Sequence, residues 1–424
     1  MGIHVLILAH IYYFGDSVIG SLDFQEFFHA FIKHGIINAG VVMVMVAFIS
    51  TLIFGRFFCG WACHFGALQE FSWYILKKLN ITPKTINSKL IFFLPLFMLI
   101  YFYLTPNIII AFTNPWHEPQ LQLSYPGIWA FLPGFFIALL TFIVDGVLIV
   151  YFLGRKGFCR YICPWGAFLK IPNALSMYKV RNNGSCTNTN LCTTNCPVAI
   201  DVSYEINNYN KVVNTNCTSC LICTEGCPSN ALSYEFMNPF KENIQFKDYF
   251  YKNDSYRHPI IKNLFKSIRK YDVIFFILTI FIGFCIDGLY GMGHFLSFGI
   301  ALIGSLFLIN LWSKDGQKYL QYSYTIIIMT VILWHGMIKY TIWQGLKYYD
   351  NKNYRLAAKK LELVVNIYPK KISKYHIIIG ESYLHENNIK LAKYHAKRAN
   401  SISPEHNAPK QLLKLIEISE KQLF

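Results

Sequence analysis

Charged residues are scarce in this sequence. They make up 15 % of its 424 residues, whereas hydrophobic residues make up 54 %. A soluble protein normally has about a quarter of its residues charged, and residues 119–144 contain no charge at all. Because about 20 apolar residues cross a bilayer core as a helix, this composition excludes an ordinary soluble protein. It predicts an integral membrane protein surrounded by lipid.

Motifs for self-sufficient catalysis are also lacking. The sequence has no Gly-rich phosphate loop and no nucleophile–base signature, the patterns that indicate phosphate binding and covalent catalysis. It also lacks the C-x-x-C-H motif of covalent haem attachment, since "CGWACH" at residues 59–64 has a spacer of three. We leave open whether the chain is an enzyme, and these absences favour an electron-transfer component.

Basic residues are missing from the stretch 107–126 but frequent in 57–89 and 154–271. The positive-inside rule therefore predicts that the two basic stretches lie in the cytoplasm, with a bacterial inner membrane between them and 107–126. The same clustering accounts for the net charge of +16, so we expect no nucleic-acid partner.

Seven membrane spans are predicted from the apolar runs. The first lacks the basic region and small-residue cleavage site of a secretion signal, so we expect a short membrane helix there. The spans are predicted at roughly 3–20, 36–56, 90–106, 128–153, 273–290, 294–312 and 323–341.

Eleven of the twelve cysteines lie in short-spaced clusters, which favours metal binding over disulfides in a reducing compartment. In a polar insert, residues 178–235, the run "CTSCLICTEGCP" carries Cys217, Cys220, Cys223 and Cys227. Their C-x2-C-x2-C-x3-C-P spacing is typical of bacterial ferredoxins, in which three thiolates bind one cluster and the fourth cysteine binds the other.

A second run, "CTNTNLCTTNCP", has Thr189 at the position of a missing cysteine. Exchanging the last cysteine between the two runs predicts two sites. Site one is a [4Fe–4S] cluster at Cys196, Cys217, Cys220 and Cys223. Site two has three thiolates and would hold a [3Fe–4S] cluster, a [4Fe–4S] cluster with another fourth ligand, or nothing. Its cysteines are Cys186, Cys192 and Cys227.

Two further stretches, "GRFFCGWACHFGAL" and "GRKGFCRYICPWGAF", each follow an apolar run and carry C-x3-C. Their cysteines are Cys59 and Cys63, and Cys159 and Cys163. A C-x3-C pair puts both sulfurs on one face of a helix, and two pairs together supply the ligands of one iron–sulfur cluster or tetrahedral zinc. Two independent redox-active dithiols are the alternative.

Three residues outside these sets are open to more than one interpretation. His64 follows Cys63 and is a ligand, a hydrogen-bond donor to a cluster sulfur or a packing residue. Asp145 lies in an apolar span, where a carboxylate often marks a proton pathway. Cys285 stands alone in a span and is expected to be a small buried apolar residue.

The C-terminal segment 342–424 repeats with a period of 34 residues, which aligns Tyr349 with Tyr383 and Asn353 with Asn387. This pattern resembles a tetratricopeptide helix pair, with an ordinary helical hairpin as the alternative. We therefore predict a mainly α-helical, polytopic membrane bundle with an inserted bacterial-type α+β ferredoxin domain and a C-terminal α-helical repeat. The predicted divisions are 1–177 (membrane), 178–235 (ferredoxin), 236–271 (linker), 272–341 (membrane) and 342–424 (repeat tail).

Together, the twin C-x3-C stretches and the ferredoxin cysteines resemble the NosR/NapH-type membrane polyferredoxins over about residues 20–235. The resemblance implies electron transfer in a membrane respiratory or maturation system, between a quinol or soluble donor and a dedicated enzyme. Related members are linked to the assembly of copper-containing oxidases. This chain departs from the pattern at His64, which replaces a proline, and at Thr189, which replaces a ligand.

Three functions remain open at this point. The first is an iron–sulfur electron carrier between a quinol or soluble donor and a respiratory or metalloenzyme partner, with a protein partner on the tail. The second is a maturation factor that reduces a metal or a disulfide for a partner enzyme. The third is a tetratricopeptide membrane scaffold whose clusters only stabilise the fold.

Overall fold

The computed structural model describes residues 17–18, 27–32, 35–83, 90–113, 118–122, 125–126, 135–184, 186–236, 270–312, 318–368, 372–402 and 407–422. Its chain divides into two compact units, residues 1–277 and 278–424. The predicted span 3–20 and the predicted linker 236–271 lie almost entirely outside the described residues.

Helices dominate the described residues, and five of them are long and apolar enough to cross a membrane. They are Ile91–Thr113, Phe135–Leu153, Asp272–Tyr290, His294–Trp312 and Lys318–Asp350, and a shorter apolar helix is Ala39–Phe54. Each of the six overlaps a span predicted from the sequence. The prediction of an integral membrane protein agrees with this composition of the helices.

The first unit begins with short paired strands and continues with membrane and membrane-edge helices. Strand β1 (Ser17–Val18) pairs antiparallel with β4 (Tyr125–Pro126), and β2 (Ile36–Ile37) pairs parallel with β3 (Gln120–Leu121). The helices are α1 (Ala39–Phe54), α2 (Phe57–Trp61), α3 (His64–Lys78), α4 (Ile91–Thr113), α5 (Phe135–Leu153), α6 (Gly157–Tyr161), α7 (Pro164–Phe168) and α8 (Lys170–Ala174).

Glycines end the two helices that precede the twin cysteine stretches. Helix α1 starts at Asn38, whose side chain accepts a hydrogen bond from the Val41 N–H at 3.0 Å, and it ends at Gly55 with φ 61°. Helix α5 ends at Gly154 with φ 91°. Glycine adopts positive φ without steric cost, so in both places the chain leaves the helix and starts a short second one, which carries the first cysteine of each pair.

The cysteine-rich insert is built on a two-stranded sheet. Strand β5 (Tyr178–Asn182) pairs antiparallel with β6 (Leu232–Phe236), with Val180 opposite Tyr234. Between these strands lie α9 (Leu191–Thr194), α10 (Val202–Tyr209) and α11 (Ile222–Glu225). The apolar core beneath them consists of Val180, Val198, Ile200, Val202, Ile206, Val212 and Leu232, with five of the insert's cysteines packed against it.

The second unit begins within one long apolar helix and contains two further helices long enough to cross a membrane, followed by a helical tail. The described helices after α12 (Lys270–Tyr290) are α13 (His294–Trp312), α14 (Lys318–Asp350), α15 (Tyr354–Ile367), α16 (Ser373–His385), α17 (Ile389–Ile402) and α18 (Asn407–Gln422). Helix α14 runs without interruption through the boundary predicted at residue 341. Its last turn leads directly into the tail.

Two similar turns occur within the tail, at the places where the sequence predicts a repeat. Lys352 has φ 58° and Asn387 has φ 56°. Each is followed by an asparagine that caps the next helix, since Asn353 accepts from the Leu356 N–H at 3.4 Å and Asn388 from the Leu391 N–H at 3.2 Å. These turns lie 35 residues apart (352 to 387), one more than the sequence alignment predicted.

Candidate metal centres

The two C-x3-C stretches fold alike. Cys59 lies on α2 and Cys159 on α6, while Cys63 and Cys163 occupy the N-cap positions of the following helices, α3 and α7. The Gly166 N–H donates to the Cys163 Sγ at 3.3 Å. Equivalent residues are 100 positions apart (59 to 159), and the two stretches are therefore alike in backbone conformation as well as in sequence.

The structure brings the four cysteines of these stretches together, and we call the group the membrane-edge centre. Burial, followed by the thiols of Cys159 and Cys59, raises the pKa of Cys63 to about 12. Burial also raises the pKa of Cys163 well above its ordinary value, and the other three thiols add to this effect. Cys63 and Cys163 therefore resist ionisation, and a metal cofactor that displaces their protons would relieve this penalty.

Two buried cations lie beside the centre, one from each repeat. Arg56 and Lys156 are 1 % exposed. The Arg56 guanidinium lies 3.9 Å from the Cys59 Sγ, and the charges of Cys59, Cys159 and Cys163 raise the pKa of this arginine against the opposing effect of burial, which is the largest single influence. The Lys156 Nζ donates to the Gly66 carbonyl at 3.2 Å and lies 3.4 Å from Glu70 Oε1.

Two glycines make room for these cations. A Cβ atom on Gly66 would lie 2.9 Å from the Cys59 carbonyl oxygen and 3.1 Å from the Lys156 Nζ. A Cβ atom on Gly166 would lie at the same distances from the Cys159 carbonyl oxygen and the Arg56 Nη2. The basic residue of each repeat therefore fills the space beside the glycine of the other, and the two repeats interlock.

The second stretch is the more deeply buried of the two. Cys159 is buried and receives a hydrogen bond from Gln69 Nε2 at 3.3 Å, while Gln69 Oε1 accepts from the Phe158 N–H at 2.9 Å. The rings of Phe65 and Phe158 stack with centroids 4.5 Å apart. Gln69 is a contact that the sequence pattern did not predict, because its counterpart in the second repeat is Leu169.

The four cysteines of site one also lie close together. Burial, with the thiols of Cys196 and Cys220, raises the pKa of Cys217 to about 12. Burial also raises the pKa of Cys223, and the same three thiols contribute to that shift. The structure thus brings together the set obtained by exchanging the last cysteine between the two runs. Their role as ligands remains a prediction.

The cysteines of site two line one small pocket. Its walls include Cys186, Cys192 and Cys227, with Thr189 beside them. Burial alone would raise the pKa of Cys227, but hydrogen bonds from Ser229 and from nearby backbone N–H groups outweigh it and lower the pKa. The Cys227 thiol therefore ionises more easily than an ordinary cysteine, whereas burial raises the pKa of Cys192 in the same pocket.

The two runs share one backbone conformation at an offset of 31 residues (186 to 217). Positive φ occurs at Asn188 and Ser219, at Asn190 and Leu221, and at Ala199 and Asn230, three pairs with that same offset. Thr189 corresponds to Cys220 in this alignment. The run around Thr189 thus has the same loop conformation as the run around Cys220, although one cysteine is replaced.

The loop that carries Cys217 and Cys220 rests directly on α2. A Cβ atom on Gly60 would lie 2.4 Å from the Thr218 carbonyl oxygen, and the Trp61 indole N–H donates to the Ser219 carbonyl at 3.0 Å. Since Gly60 adjoins Cys59, the backbone of site one contacts the backbone of the membrane-edge centre.

Asn173 strengthens the same contact from the second repeat. Its side-chain amide donates to the Thr215 carbonyl at 2.9 Å and the Cys217 carbonyl at 3.3 Å, and its oxygen accepts from the Arg56 N–H at 3.2 Å. The Arg56 Nη1 also donates to the Thr215 carbonyl at 3.3 Å. These contacts join residues far apart in sequence, and the sequence analysis missed them.

A cavity of about 630 Å³ lies beside site one. It is bounded by the end of α3, the turn after α5 and the loop that carries Cys196. Basic side chains from both repeats line it, together with apolar ones. These are Lys77, Arg155 and Arg160, with Trp73, Leu76, Ile81 and Leu153.

The remaining candidate residues are His64, Asp145 and Cys285. The His64 ring packs against Phe65, with centroids 4.7 Å apart. Asp145 is fully buried in the π-helical part of α5, and its carboxylate oxygens have no hydrogen-bond partner among the described residues. Cys285 is a buried free thiol in α12. No group of three or more His, Cys, Asp or Glu side chains in the described ranges is spaced to hold a single metal ion.

Comparison with known proteins adds a family model. A 4Fe–4S binding domain matches residues 38–82 and 135–181, which are the two segments that contain the twin C-x3-C stretches. The match indicates 4Fe–4S binding in this part of the chain. No solved structure matches the chain.

Curated relatives point the same way. The uncharacterized protein MJ0750 of Methanocaldococcus jannaschii is 28 % identical over 200 residues, which is 44 % of this chain and 76 % of that protein. The putative electron transport protein YccM of Escherichia coli is 30 % identical over 178 residues, 39 % of this chain and 48 % of YccM. The regulatory protein NosR of Pseudomonas aeruginosa is 30 % identical over 160 residues, 35 % of this chain and 21 % of NosR. These similarities support a NosR/NapH-like membrane ferredoxin.

Proposed function

We propose that this chain is a membrane-bound iron–sulfur electron carrier with three redox sites in the first unit. Site two, site one and the membrane-edge centre would carry electrons between a quinol or soluble donor and a respiratory or metalloenzyme partner. Iron–sulfur clusters supply one-electron chemistry when bound at such thiolate sites. The cytoplasmic side of the insert and a protein partner on the tetratricopeptide-like tail belong to the same proposal.

The contact between Gly60 and Thr218 is the observation that carries this proposal. It leaves no space for a side chain between the α2 backbone and the loop of site one. Cys59 and Cys220 are each within two residues of that contact, so two thiol groups that could bind clusters belong to neighbouring backbone segments. A structural role for the clusters alone would not need the two sites to adjoin.

The donor set fits an anionic iron–sulfur cluster at the membrane-edge centre. Cys59, Cys63, Cys159 and Cys163 would hold it, and Arg56 and Lys156 place positive charge at the same buried location. The Arg56 Nε atom is buried and has no hydrogen-bond partner among the described residues. Buried cations are costly unless a negative group accompanies them, which four thiolates and iron–sulfur would supply.

The other two sites would have different surroundings. Cys196, Cys217, Cys220 and Cys223 would hold site one, next to the cavity of about 630 Å³. We propose this cavity as the approach for an electron donor, since its wall includes Cys196. Cys186, Cys192 and Cys227 would hold site two, whose pocket lies on the other run of the insert.

The decisive experiment measures iron content with EPR and Mössbauer spectra on anaerobically purified protein. The variant is Cys59→Ser/Cys63→Ser, and Cys285→Ser is the matched control, because Cys285 is a buried thiol outside every predicted site. We expect the double variant to lose one complete cluster and keep the spectra of the insert, while the control keeps all of its iron.

Retention of every iron atom by the double variant would overturn the shared centre. The twin pairs would then be redox-active dithiols, and a maturation factor that reduces a metal or disulfide would replace the electron carrier as the preferred function. If the clusters could not be reduced at any physiological potential, the result would instead favour a membrane scaffold whose clusters only stabilise the fold.

A further inference from the structure

Arg56 and Lys156 each lie beside a glycine of the other repeat, and both place a positive charge near the thiols of the membrane-edge centre. Both side chains are almost fully inaccessible to water. Lys156 shares Glu70 with Arg155, whose guanidinium lies 2.6 Å from the same carboxylate. In the ranges that the structure describes, Arg56 forms no ion pair with a carboxylate. Its nearest acceptors are the Cys59 sulfur and the Thr215 carbonyl.

Such an arrangement leaves excess positive charge in a place of low dielectric constant. A cluster held by four thiolates is an anion, and the electron that it gains adds a further negative charge. Opposite charges that are fixed nearby favour the more negative state most strongly where water is excluded. A third cation, Lys170, lies over the Phe92 ring at 4.0 Å, and burial together with Arg56 and Arg160 lowers the pKa of this lysine to about 7.

We propose that Arg56 and Lys156 are positioning residues that hold the charge of the membrane-edge centre and set its reduction potential. Each is supplied by one repeat and acts beside the glycine of the other, so the potential depends on both repeats being docked. With a cluster held at the centre, these two cations would balance the negative charge of an added electron. The inference rests on the proposed function, because it requires a cluster at this centre.

Removing either positive charge should make the centre harder to reduce. One unit charge at this range, in a buried site of intermediate effective dielectric constant, changes a one-electron equilibrium by about 100-fold. That factor corresponds to a potential lower by about 120 mV. The loss should be larger for Arg56, which has no carboxylate partner among the described residues, than for Lys156, whose Nζ lies 3.4 Å from Glu70 Oε1.

The test is a dithionite titration with redox mediators, monitored by EPR, on the full-length protein. The variants are Arg56→Met and Lys156→Met, with Arg56→Lys and Lys156→Arg as conservative replacements. Lys78→Met is the matched control, because Lys78 is an exposed cation at the end of α3. Iron content is measured on every sample, so loss of the cluster is not mistaken for a change in potential.

We expect both methionine variants to have a lower potential at the membrane-edge centre only, and the conservative variants and the control to retain the wild-type potential. Loss of the centre in the methionine variants with retention in the conservative ones would support the same requirement for charge. Methionine variants that keep both the centre and its potential would overturn the inference, as would conservative variants that lose the centre. Failure of the proposed function is separate, since the Cys59→Ser/Cys63→Ser variant would then retain all of its iron.

Discussion

The two duplicated regions of the first unit are held together in opposite ways. At the membrane edge, both copies have their two cysteines, and a buried cation of each copy, Arg56 or Lys156, packs beside a glycine of the other. In the insert, the copies are tied by a buried anion. Glu205 on α10, in the first half, accepts hydrogen bonds from the Val213 and Asn214 N–H groups, which lead into the second run, at 2.9 and 3.1 Å.

The two duplications also differ in what they have kept. The membrane-edge repeats retain every thiol but differ at other positions, such as His64 and Pro164. The insert has lost a thiol at Thr189 but retains three pairs of residues with positive φ. That conformation costs about 1–2 kcal/mol for most residues with a Cβ, such as Leu221 in the second run, whereas asparagine adopts it more readily. Two of the three positions in the first run are asparagines, Asn188 and Asn190, so the run around Thr189 has the same loop shape at a smaller cost.

The largest effect should come from separating the two regions. Gly60→Val would place methyl groups where the Thr218 carbonyl lies, since even a Cβ atom would come within 2.4 Å of it. We expect electron exchange between the insert and the membrane-edge centre to slow by roughly 100-fold, because small displacements of reacting groups have effects of this size. Freeze-quench EPR after mixing with dithionite would measure it.

Gly184→Val is the control for this experiment. Gly184 is also in the insert, but the nearest atom to its added Cβ would be the Ala231 Cα at 3.8 Å. Iron content should be unchanged in both variants. If Gly60→Val exchanges electrons at the wild-type rate, the contact between the regions is not the route.

The buried carboxyl group of Glu205 should give the stability of the insert a pH dependence between about pH 4.5 and pH 7. Burial raises the pKa of Glu205 from 4.5 to about 7. The folded state therefore holds this proton when the unfolded state has released it, and the free energy of unfolding falls as pH rises from about 4.5 to about 7. The predicted fall is roughly 3 kcal/mol, with no further change above that range.

Glu205→Gln should remove this slope. We expect the thermal unfolding midpoint of the insert to vary less between pH 5.5 and pH 7 in the variant than in the wild type, with Glu225→Gln, an exposed carboxylate on α11, as the control. An unchanged slope in Glu205→Gln would assign the dependence to other groups.

The interlocking glycines should be equally sensitive to substitution. Gly66→Ala and Gly166→Ala each bring a methyl group to 2.9 Å from a backbone carbonyl, that of Cys59 or of Cys159. Overpacking of this kind costs about 1–3 kcal/mol. The free energy of unfolding and the iron content should therefore fall by similar amounts in both variants. Gly336→Ala is the control, because a Cβ atom on Gly336 would meet nothing within 4 Å. A loss of stability or iron in only one of the two glycine variants would contradict the equivalence of the two repeats.

The sequence is most informative where the physical signal is local. Apolar runs predict the five described helices that are long enough to cross a membrane and the shorter apolar helix Ala39–Phe54, because helix length and bilayer thickness are fixed quantities. Cysteine spacing divides the eleven clustered thiols into short-spaced runs, since ligands of one cluster recur at short intervals, and their role as ligands stays a prediction. Alignment of the twin stretches also pairs Arg56 with Lys156, so the sequence itself indicates a basic residue at the same position of both repeats.

Contacts between distant segments could not be predicted in this way. Nothing near Gly60 in the sequence indicates that the Thr218 carbonyl lies against it, because the two are brought together by packing of the insert on α2. Gln69 and Asn173 are similar cases, with partners 90 and 44 residues away. The 35-residue separation of the tail turns was missed because identical residues happen to align one position earlier.

The smallest predicted effect tests whether site two, which has three thiols, gains a fourth ligand when a cysteine is introduced at Thr189. Thr189 lines the pocket of Cys186, Cys192 and Cys227, and its backbone position is equivalent to that of Cys220. We expect Thr189→Cys to supply a fourth thiolate, so that a three-iron centre gains iron or a labile [4Fe–4S] cluster becomes resistant to oxygen. Iron analysis and EPR before and after exposure to air would measure this change.

Thr187→Cys is the matched control, because Thr187 lines the same pocket but corresponds to Thr218 rather than to a cysteine of the second run. A gain with Thr189→Cys alone would mean that the loop has preserved the geometry of a ligand position after losing the ligand. Equal gains with both variants would mean that any thiol in the pocket suffices. No gain with either would mean that site two does not bind iron, and that the retained backbone serves only to support site one.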